Sequence, residues 1–533
     1  MPEPGVAIVL TADRTLMSDW PLLLDGMAAA AQTTWWPMRL MQWYVARPVG
    51  DDGLRARQAP LGLRRVESAL RLGGFAPGDV AVVPPARLQR AVGPATRIVG
   101  LASGDPLGLG MNSTTLAAVF GGEPITSAEF QALAARARAL VERAGARAKV
   151  VVGGPGAWQL AQDQPAARRL GIDHVIGGYC ESNVAGLARE LVSGAALPFE
   201  LAGVAPQAGE IPPIGGPTVM GMVEVSRGCG WGCRFCTLAG VPMAHLPLET
   251  ILADVRTNAA GGVRNISLTS EDFFRYGASG AEHARPAAVI QLLARLAAMP
   301  GVATLAVDHA NASTVARFSD AELAEVRRLL SLGRADWRPW VNVGVETAAG
   351  ALLAASGGSP KMRPFGPDLW PEAASEQVRR LSGAGFLPMV SLVIGLPGET
   401  AGDLALTSDW VAQLKGLPVA VVPVLYAPVR APMLKLHRGR AGEGGAAGTA
   451  GVAAVQWELF KRSMDMTFDS MPRLYWQHWR AAAVGLGRRL ALQVLGRGYE
   501  WMWRCALWRK ARAPMLEPAS PAGAQHRGRA ARP

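Results

Sequence analysis

The stretch VEVSRGCGWGCRFC, residues 223–236, begins as an alternating apolar run and then breaks into a loop holding three of the five cysteines in the chain. The alternation predicts a strand, and Gly228, Gly230 and Gly232 predict a loop folded tightly on itself. Cys229, Cys233 and Cys236 fall in the pattern C-x-x-x-C-x-x-C. A structural zinc ion is closed by four ligands, yet no further Cys or His lies nearer than His245. An iron-sulfur cube held by three thiolates leaves its fourth iron open to a small molecule, and the glycines let backbone amides approach its sulfides.

Outward from this loop the chain repeats a strand-helix rhythm. GMVEVS (221–226), RNISLT (264–269), VATLAVDH (302–309), WVNVGVE (340–346), PMVSLVIG (388–395) and PVAVVPVLY (418–426) read as strands separated by amphipathic helices. Six such units predict an incomplete barrel over residues 220–435, with its site at the carboxyl ends of the strands, where the cysteine loop begins.

Upstream, GVAIVLT (5–11), DVAVVP (79–84), TRIVGLAS (96–103), AKVVVGG (148–154) and DHVIGG (173–178) predict a parallel, doubly wound, Rossmann-like α/β domain over residues 1–196. PITSAEFQALAARARALVERAG predicts a helix capped by Thr126 or Ser127 and stopped at Gly145. Residues 197–219, rich in Pro and Gly without periodicity, read as a linker. A Gly/Ala-rich linker at 436–452, a Trp-rich basic helical region at 453–511 and a disordered tail at 512–533 complete the expected plan.

The formal charge of +12 is unevenly spread. From Gly451 onward fourteen Lys and Arg face five Asp and Glu, a surplus of nine that leaves three for the preceding 450 residues. The basic residues follow no nucleic-acid motif, so no nucleic-acid partner is expected. Few cysteines and no secretory pattern at the N-terminus predict a cytoplasmic protein. No window reaches the roughly 18 uninterrupted apolar residues of a membrane span. Residues 474–510 mix Trp, Leu and Arg in a way that suits either an interfacial helix on an anionic membrane or a cap over the barrel.

The cysteine loop, with Phe235 before its last cysteine and a six-unit barrel behind it, resembles that of the radical S-adenosylmethionine (SAM) enzymes. The resemblance implies that a 4Fe-4S cluster on Cys229, Cys233 and Cys236 chelates SAM, and that one electron cleaves SAM to methionine and a 5'-deoxyadenosyl radical. Carried over residue by residue, it implies SAM contacts at Phe235, at Ser270 and Glu271 in SLTSEDFF, at Glu346 in VGVETAAGALL and at Gly395 in LVIGLPGET. It also implies an electron donor such as flavodoxin or ferredoxin.

The N-terminal domain resembles the cobalamin-binding domain of a large radical SAM subfamily. The stretches GLASGDPLGLG, VVVGGP and GIDHVIGGYCESNVAGLARELVSG carry the match and imply cobalamin contacts at Ser103, Gly153 and Gly154. The Asp-x-His-x-x-Gly loop of many cobalamin proteins is missing; the first histidine is His174, so no imidazole from that loop is expected on cobalt. A nucleotide-binding sheet, or a domain that kept the fold and lost its ligand, remains an alternative. With cobalamin, the implied reaction is C-methylation of an unactivated carbon in a small-molecule or lipid substrate. The alternatives are a non-methylating radical SAM cyclase, oxidase or rearrangement enzyme, and a non-catalytic iron-sulfur sensor or scaffold.

Overall fold

A computed structural model describes residues 4–20, 22–279, 283–428 and 454–512. The linker expected at 436–452 and the tail expected at 512–533 lie outside the described residues, Arg512 apart.

The N-terminal sheet is built from β1 (Ile8–Ala12), β2 (Val80–Val82), β3 (Ile98–Ala102), β4 (Lys149–Gly153), β5 (His174–Gly177) and β6 (Glu200–Ala202). Its strands are all parallel in the order β2-β1-β3-β4-β5-β6. Both faces are covered, as a parallel sheet requires. Ile8, Leu10, Ile98 and Val151 pack under the helices Leu61–Leu72 and Val184–Ser193, while Val9, Val99, Leu101, Val150 and Val152 pack under Ile125–Arg143 and Ala157–Gln162.

Two expectations need correction here. The 197–219 stretch is more than a linker, because β6 lies at its start and pairs with β5. A three-residue strand beside Gly203 leaves no periodicity to read, and Gly203 is itself forced, since a Cβ there would sit 2.4 Å from the Tyr179 carbonyl oxygen. The helix expected to start at a Thr or Ser cap starts instead at Ile125, with Pro124 as N-cap and no side-chain cap bond. Ser127 points elsewhere, to the Pro106 carbonyl and Glu123.

The second unit contains β7 (Met222–Glu224), β8 (Ser226–Arg227), β9 (Ala244–His245), β10 (Asn265–Thr269), β11 (Thr304–Val307), β12 (His309–Ala310), β13 (Trp340–Glu346), β14 (Leu387–Ile394) and β15 (Ala420–Leu425). Parallel pairing runs β11-β10-β7 in one sheet and β12-β13-β14-β15 in another. The expected single strand at 302–309 is therefore split. Asp308 forms the joint: its carbonyl accepts from Asn342 N at 2.9 Å, while its carboxylate turns to His309 and Thr269. The result is a six-strand partial barrel, with β8 and β9 forming a short antiparallel ribbon beneath the cysteine loop.

Two long helices, Ala454–Ala481 and Leu486–Arg512, complete the described chain. Trp457, Phe460, Met464 and Met471, which the sequence spaces at helical intervals, are buried and form a core stripe. The Thr467 hydroxyl accepts from Val421 N at 2.8 Å and donates to Val421 O at 2.6 Å, satisfying both backbone groups of the edge strand β15. The Thr115 hydroxyl, from the N-terminal domain, accepts from Leu425 N at 2.8 Å and joins the two units. No described helix is long and apolar enough to cross a membrane.

Candidate functional site

The three cysteines leave β8 on a loop whose shape is set by glycine. Gly228, Gly230 and Gly232 all have φ near +70°, in the left-handed region, and a Cβ on Gly228 would lie 2.2 Å from the Pro242 carbonyl oxygen. The loop is closed by Cys229 N and Gly230 N donating to Val241 O, and by Cys236 N donating to Cys233 O at 3.0 Å. Leu238 N lies 3.4 Å from Cys236 Sγ as a donor to sulfur. Burial pushes the Cys229 thiol up to about 12 and the Cys236 thiol up to about 11, and raises Cys233. Thiols held neutral in this way become thiolates when a cationic cluster compensates them, with proton release on binding. Among the described residues no three His, Cys, Asp or Glu groups converge as a single metal ion requires.

The loop is held from two sides. Arg275 Nη1 donates to Cys229 O at 2.7 Å, and its guanidinium stacks 4.5 Å over the Trp231 ring. Trp231 Nε1 in turn donates to Asp272, which is fully buried and also accepts from Thr314 Oγ1 at 2.7 Å and Asn311 N at 3.3 Å. On the other side, Arg234 N donates to Ser356 O, and Arg234 Nη2 to Ala355 O, within the π-helical turn Ala354–Gly358. Such turns are irregular in helices and recur at functional sites. An open groove of about 340 Å³, lined by Gly230, Pro242, His245 and Arg275, flanks the outer side of the loop.

The carboxyl ends of the barrel strands gather charge. Glu346 closes β13 with φ +66°, a strained value for a residue with a side chain, and its carboxylate is paired with Lys361. Burial works against the Lys361 ammonium, but Glu346 and then Cys233 outweigh it and raise its pKa. His309 Nδ1 lies 2.8 Å from Asp308 Oδ1. Burial again opposes the charged ring, and Asp308, Glu271 and Glu346 together push it up to about 9. Two carboxylates, a lysine and an imidazolium beside the thiols suit a small zwitterion with both an amine and a carboxylate.

The N-terminal sheet ends differently. Ser103, just past β3, is fully buried and its hydroxyl has no hydrogen-bond partner, although its amide donates to Gly153 O at 3.0 Å. Gly154 has φ +100°, and a Cβ there would lie 2.8 Å from Ser103 O, whereas a Cβ on Gly153 would meet nothing within 4 Å. The expected trio thus comes together as a backbone cradle with one enclosed, orphaned hydroxyl at Ser103 and open space at Gly153. That is a fit for a large ligand approached closely by main chain.

The two mouths meet at a buried ion network. Arg227 Nη2 donates to Glu181 Oε1 at 2.5 Å, Arg227 Nε donates to Glu224 Oε1 at 2.7 Å, and its guanidinium stacks 4.1 Å over Tyr179. Arg65 adds Asp254 at 2.5 Å. Tyr179 and Glu181 follow β5, and Arg227 and Glu224 flank the cysteine loop, so the carboxyl ends of both sheets are joined at one place.

Of the other expected contacts, Phe235 is buried in the barrel core, and Ser270 Oγ accepts from Asp272 N at 3.3 Å. Glu271 stands exposed at the mouth, and Gly395, with φ +90°, donates its amide to Glu399. Lys361, Arg275, Arg227 and His309 are site residues that sequence reasoning misses, whereas Asp308, at a strand end, is readable there as a polar group that could serve substrate chemistry. Lys361 carried a faint signal: the chain has only six lysines against many arginines, and this one lies in a Gly/Ser/Pro turn with no charged face around it.

Residues 223–411 match the family described as the radical SAM superfamily. A ribosomal protein uS12 methylthiotransferase RimO of Sorangium cellulosum (strain So ce56) is 28% identical over 210 residues, 38% of this chain and 40% of the relative. Its counterpart from Frankia alni (strain DSM 45986 / CECT 9034 / ACN14a) is 26% identical over 196 residues, 35% of this chain and 32% of the relative. The match therefore spans two fifths or less of these curated relatives. Among solved structures, the radical SAM methyltransferase TsrM from Kitasatospora setae with cobalamin and a [4Fe-4S] cluster aligns at TM-score 0.51 and 17% identity, over 79% of this chain and 77% of that one. A second TsrM structure, with tryptophan substrate and the SAM analogue aza-SAM, aligns at TM-score 0.51 and 18% identity, over 79% and 74%. At these identities the likeness is one of fold, and it extends across both sheets.

Proposed function

From the radical SAM domain at residues 223–411 we propose an enzyme that cleaves SAM at a 4Fe-4S cluster on Cys229, Cys233 and Cys236 and C-methylates an unactivated carbon of a small-molecule or lipid substrate with cobalamin on the N-terminal sheet. The observation that carries this reading is the junction of the two mouths. Arg227, one residue before the cysteine loop begins, pairs with Glu181 from the end of β5, so ligands of the two sheets would share one water-excluded space. TsrM, with the same two-sheet fold, is a methyltransferase that binds cobalamin and a [4Fe-4S] cluster.

When bound, the cluster supplies the electron that breaks SAM and cobalamin supplies the methyl group. The chain's own residues hold and orient. Glu346 and Lys361 would offer opposite charges to the amino-acid end of SAM, the backbone at Gly395 would face the nucleoside, and Ser103 would give its hydroxyl to the corrin. Arg275 fixes the carbonyl of Cys229, and Asp272 fixes Trp231. An external one-electron donor of the flavodoxin or ferredoxin class completes the cycle.

The test is anaerobic reconstitution followed by product analysis. Methyl transfer yields both 5'-deoxyadenosine and S-adenosylhomocysteine, with cobalamin retained through gel filtration. Deoxyadenosine alone, with cobalamin excluded, assigns a non-methylating radical SAM reaction, and neither nucleoside assigns an iron-sulfur sensor or scaffold. A second reading, transfer of a methylthio group, draws on the methylthiotransferase relatives matched over 210 residues. It predicts sulfur in the product, which mass spectrometry distinguishes from a methyl group.

A further inference from the structure

We propose that this protein docks on anionic bilayers through two exposed apolar stripes, one on the N-terminal helix Trp36–Val45 and one on the C-terminal helix Leu486–Arg512. Trp36, Leu40 and Trp43 are 76%, 56% and 67% exposed. At about 100° per residue they share one helix face, while Met38 and Gln42 are buried on the other. On the second helix Leu486, Leu490, Val494, Trp501 and Trp508 are 57%, 52%, 72%, 68% and 50% exposed. They fall within a sector of about 80° at helical spacing, which Arg497 and Arg504 share. Its opposite face is occupied, since Trp503, Ala506 and Leu507 are buried and Trp503 packs edge-on to Phe120 at 4.8 Å.

The stripes belong to neighbouring, firmly connected parts. Tyr499 Oη donates to Ala31 O at 2.7 Å, five residues before Trp36, and Arg488 Nη2 donates to Asp19 O at 3.1 Å. Single exposed apolar residues need no explanation, but two rows that include Trp, on helices whose inner faces are already packed, are unusual on a water-facing surface.

Charge selects the occupant. The helix Leu486–Arg512 carries seven Lys and Arg against one acid, Glu500, which Arg497 and Arg504 engage at 3.1 Å. Arg504 also pairs with Asp465 and Asp469 and Arg488 with Asp19, which leaves Arg489, Arg509, Lys510 and Arg512 without a carboxylate partner among the described ion pairs. Arg512 stacks 4.4 Å over Trp508 at the end of the stripe. Trp with Arg beside an apolar row matches the interface of an anionic bilayer, where the rings sit at headgroup depth and the cations meet phosphate. Because no described helix is able to span, the contact is a surface one. The inference is independent of the cofactor reading.

The experiment is co-sedimentation of the full chain with sucrose-loaded vesicles, either phosphatidylcholine alone or equal parts phosphatidylcholine and phosphatidylglycerol. The wild type should pellet with the phosphatidylglycerol vesicles, weakly with phosphatidylcholine alone, and be released by salt. Val494→Glu/Trp501→Glu and Trp36→Glu/Trp43→Glu should each lower the partition coefficient about tenfold. Both should keep wild-type circular dichroism and reconstituted iron content, which excludes misfolding as the cause. Absence of pelleting, or pelleting unchanged in both variants, would overturn the proposal. So would a concentration-dependent dimer, seen by light scattering, that both variants abolish, because it would assign the stripes to a second copy.

Discussion

The mouth of the barrel and the mouth of the N-terminal sheet solve the problem of holding a ligand in opposite ways. The barrel strands end in charge: Glu224, Glu271, Asp308, His309 and Glu346, with Lys361 and Arg227 brought in from loops. The N-terminal strands end in main chain, with Ser103, Gly153 and Gly154 around a lone buried hydroxyl. Buried charges are costly unless paired, so Glu224 with Arg227, Glu346 with Lys361 and Asp308 with His309 lock one another whether or not a ligand is present, while Glu271 stands exposed beside them. The cradle has no such mutual lock, and its unpartnered hydroxyl gains a partner only from a ligand. The barrel mouth should therefore be rigid and fragile to substitution, and the cradle indifferent to substitution until its ligand binds.

The hardest blow to this contrast is removal of the thiols. Replacing Cys229, Cys233 and Cys236 together by Ala should abolish visible iron-sulfur absorbance, bound iron and all SAM cleavage, measured by spectrum, iron assay and chromatography of 5'-deoxyadenosine.

Next is Arg227→Ala, which strands Glu181 as a buried carboxylate at the junction and leaves Glu224 only its 3.7 Å pairing with Arg65. Breaking such a pair costs about 3–5 kcal/mol, so urea unfolding should shift by that order and the two units should separate in their transitions.

Asp13, buried just past β1, is with Glu181 a charged group at the N-terminal mouth, and its titration sharpens the comparison. Burial, opposed by hydrogen bonds from Thr15, pushes its carboxyl up from 3.8 to about 6. The folded state binds the proton more tightly than the unfolded one, so this group's stabilisation is full below about pH 4 and is lost as pH rises to about 6. A shift of this size corresponds to about 3 kcal/mol. Asp13→Asn should flatten that part of the stability-pH profile.

Thr467→Val tests the edge of the barrel away from both mouths. It leaves Val421 N and O without their partners and should lower stability by about 1–2 kcal/mol in urea unfolding. The smallest effect belongs to the cradle: Ser103→Ala should leave the ligand-free protein's stability unchanged within about 0.5 kcal/mol, yet weaken cobalamin retention in equilibrium dialysis. A large loss of stability in the ligand-free Ser103 variant would break the contrast.

The legible parts of this molecule are local. Each of the eleven expected strands has a counterpart, because alternating or continuous β-branched runs report burial of one or both faces. Trp457, Phe460, Met464 and Met471 were readable as a core stripe from spacing alone. The cysteine loop was readable because three metal-binding groups and their glycines lie within one short segment. Lys361 and Arg275 were hidden because each acquires its role from a partner distant in sequence. Arg275 acts on Cys229 across 46 positions, and Asp272 reaches Thr314 across 42. The strand β6 was hidden for another reason: three residues are too few to show a period.

By itself, then, the sequence determined a doubly wound sheet followed by a six-strand barrel, a three-thiolate loop after the barrel's first strand and a basic, Trp-rich end. These features are periodicity, spacing and composition, which survive in one dimension. Only the tertiary structure decided that the carboxyl ends of the two sheets meet at Arg227 and Glu181, that Glu346 is strained and paired with Lys361, and that two helices at opposite ends of the chain leave apolar rows facing outward. Those facts depend on which charges share a low-dielectric space and which faces find a neighbour, and neither is fixed until distant segments pack.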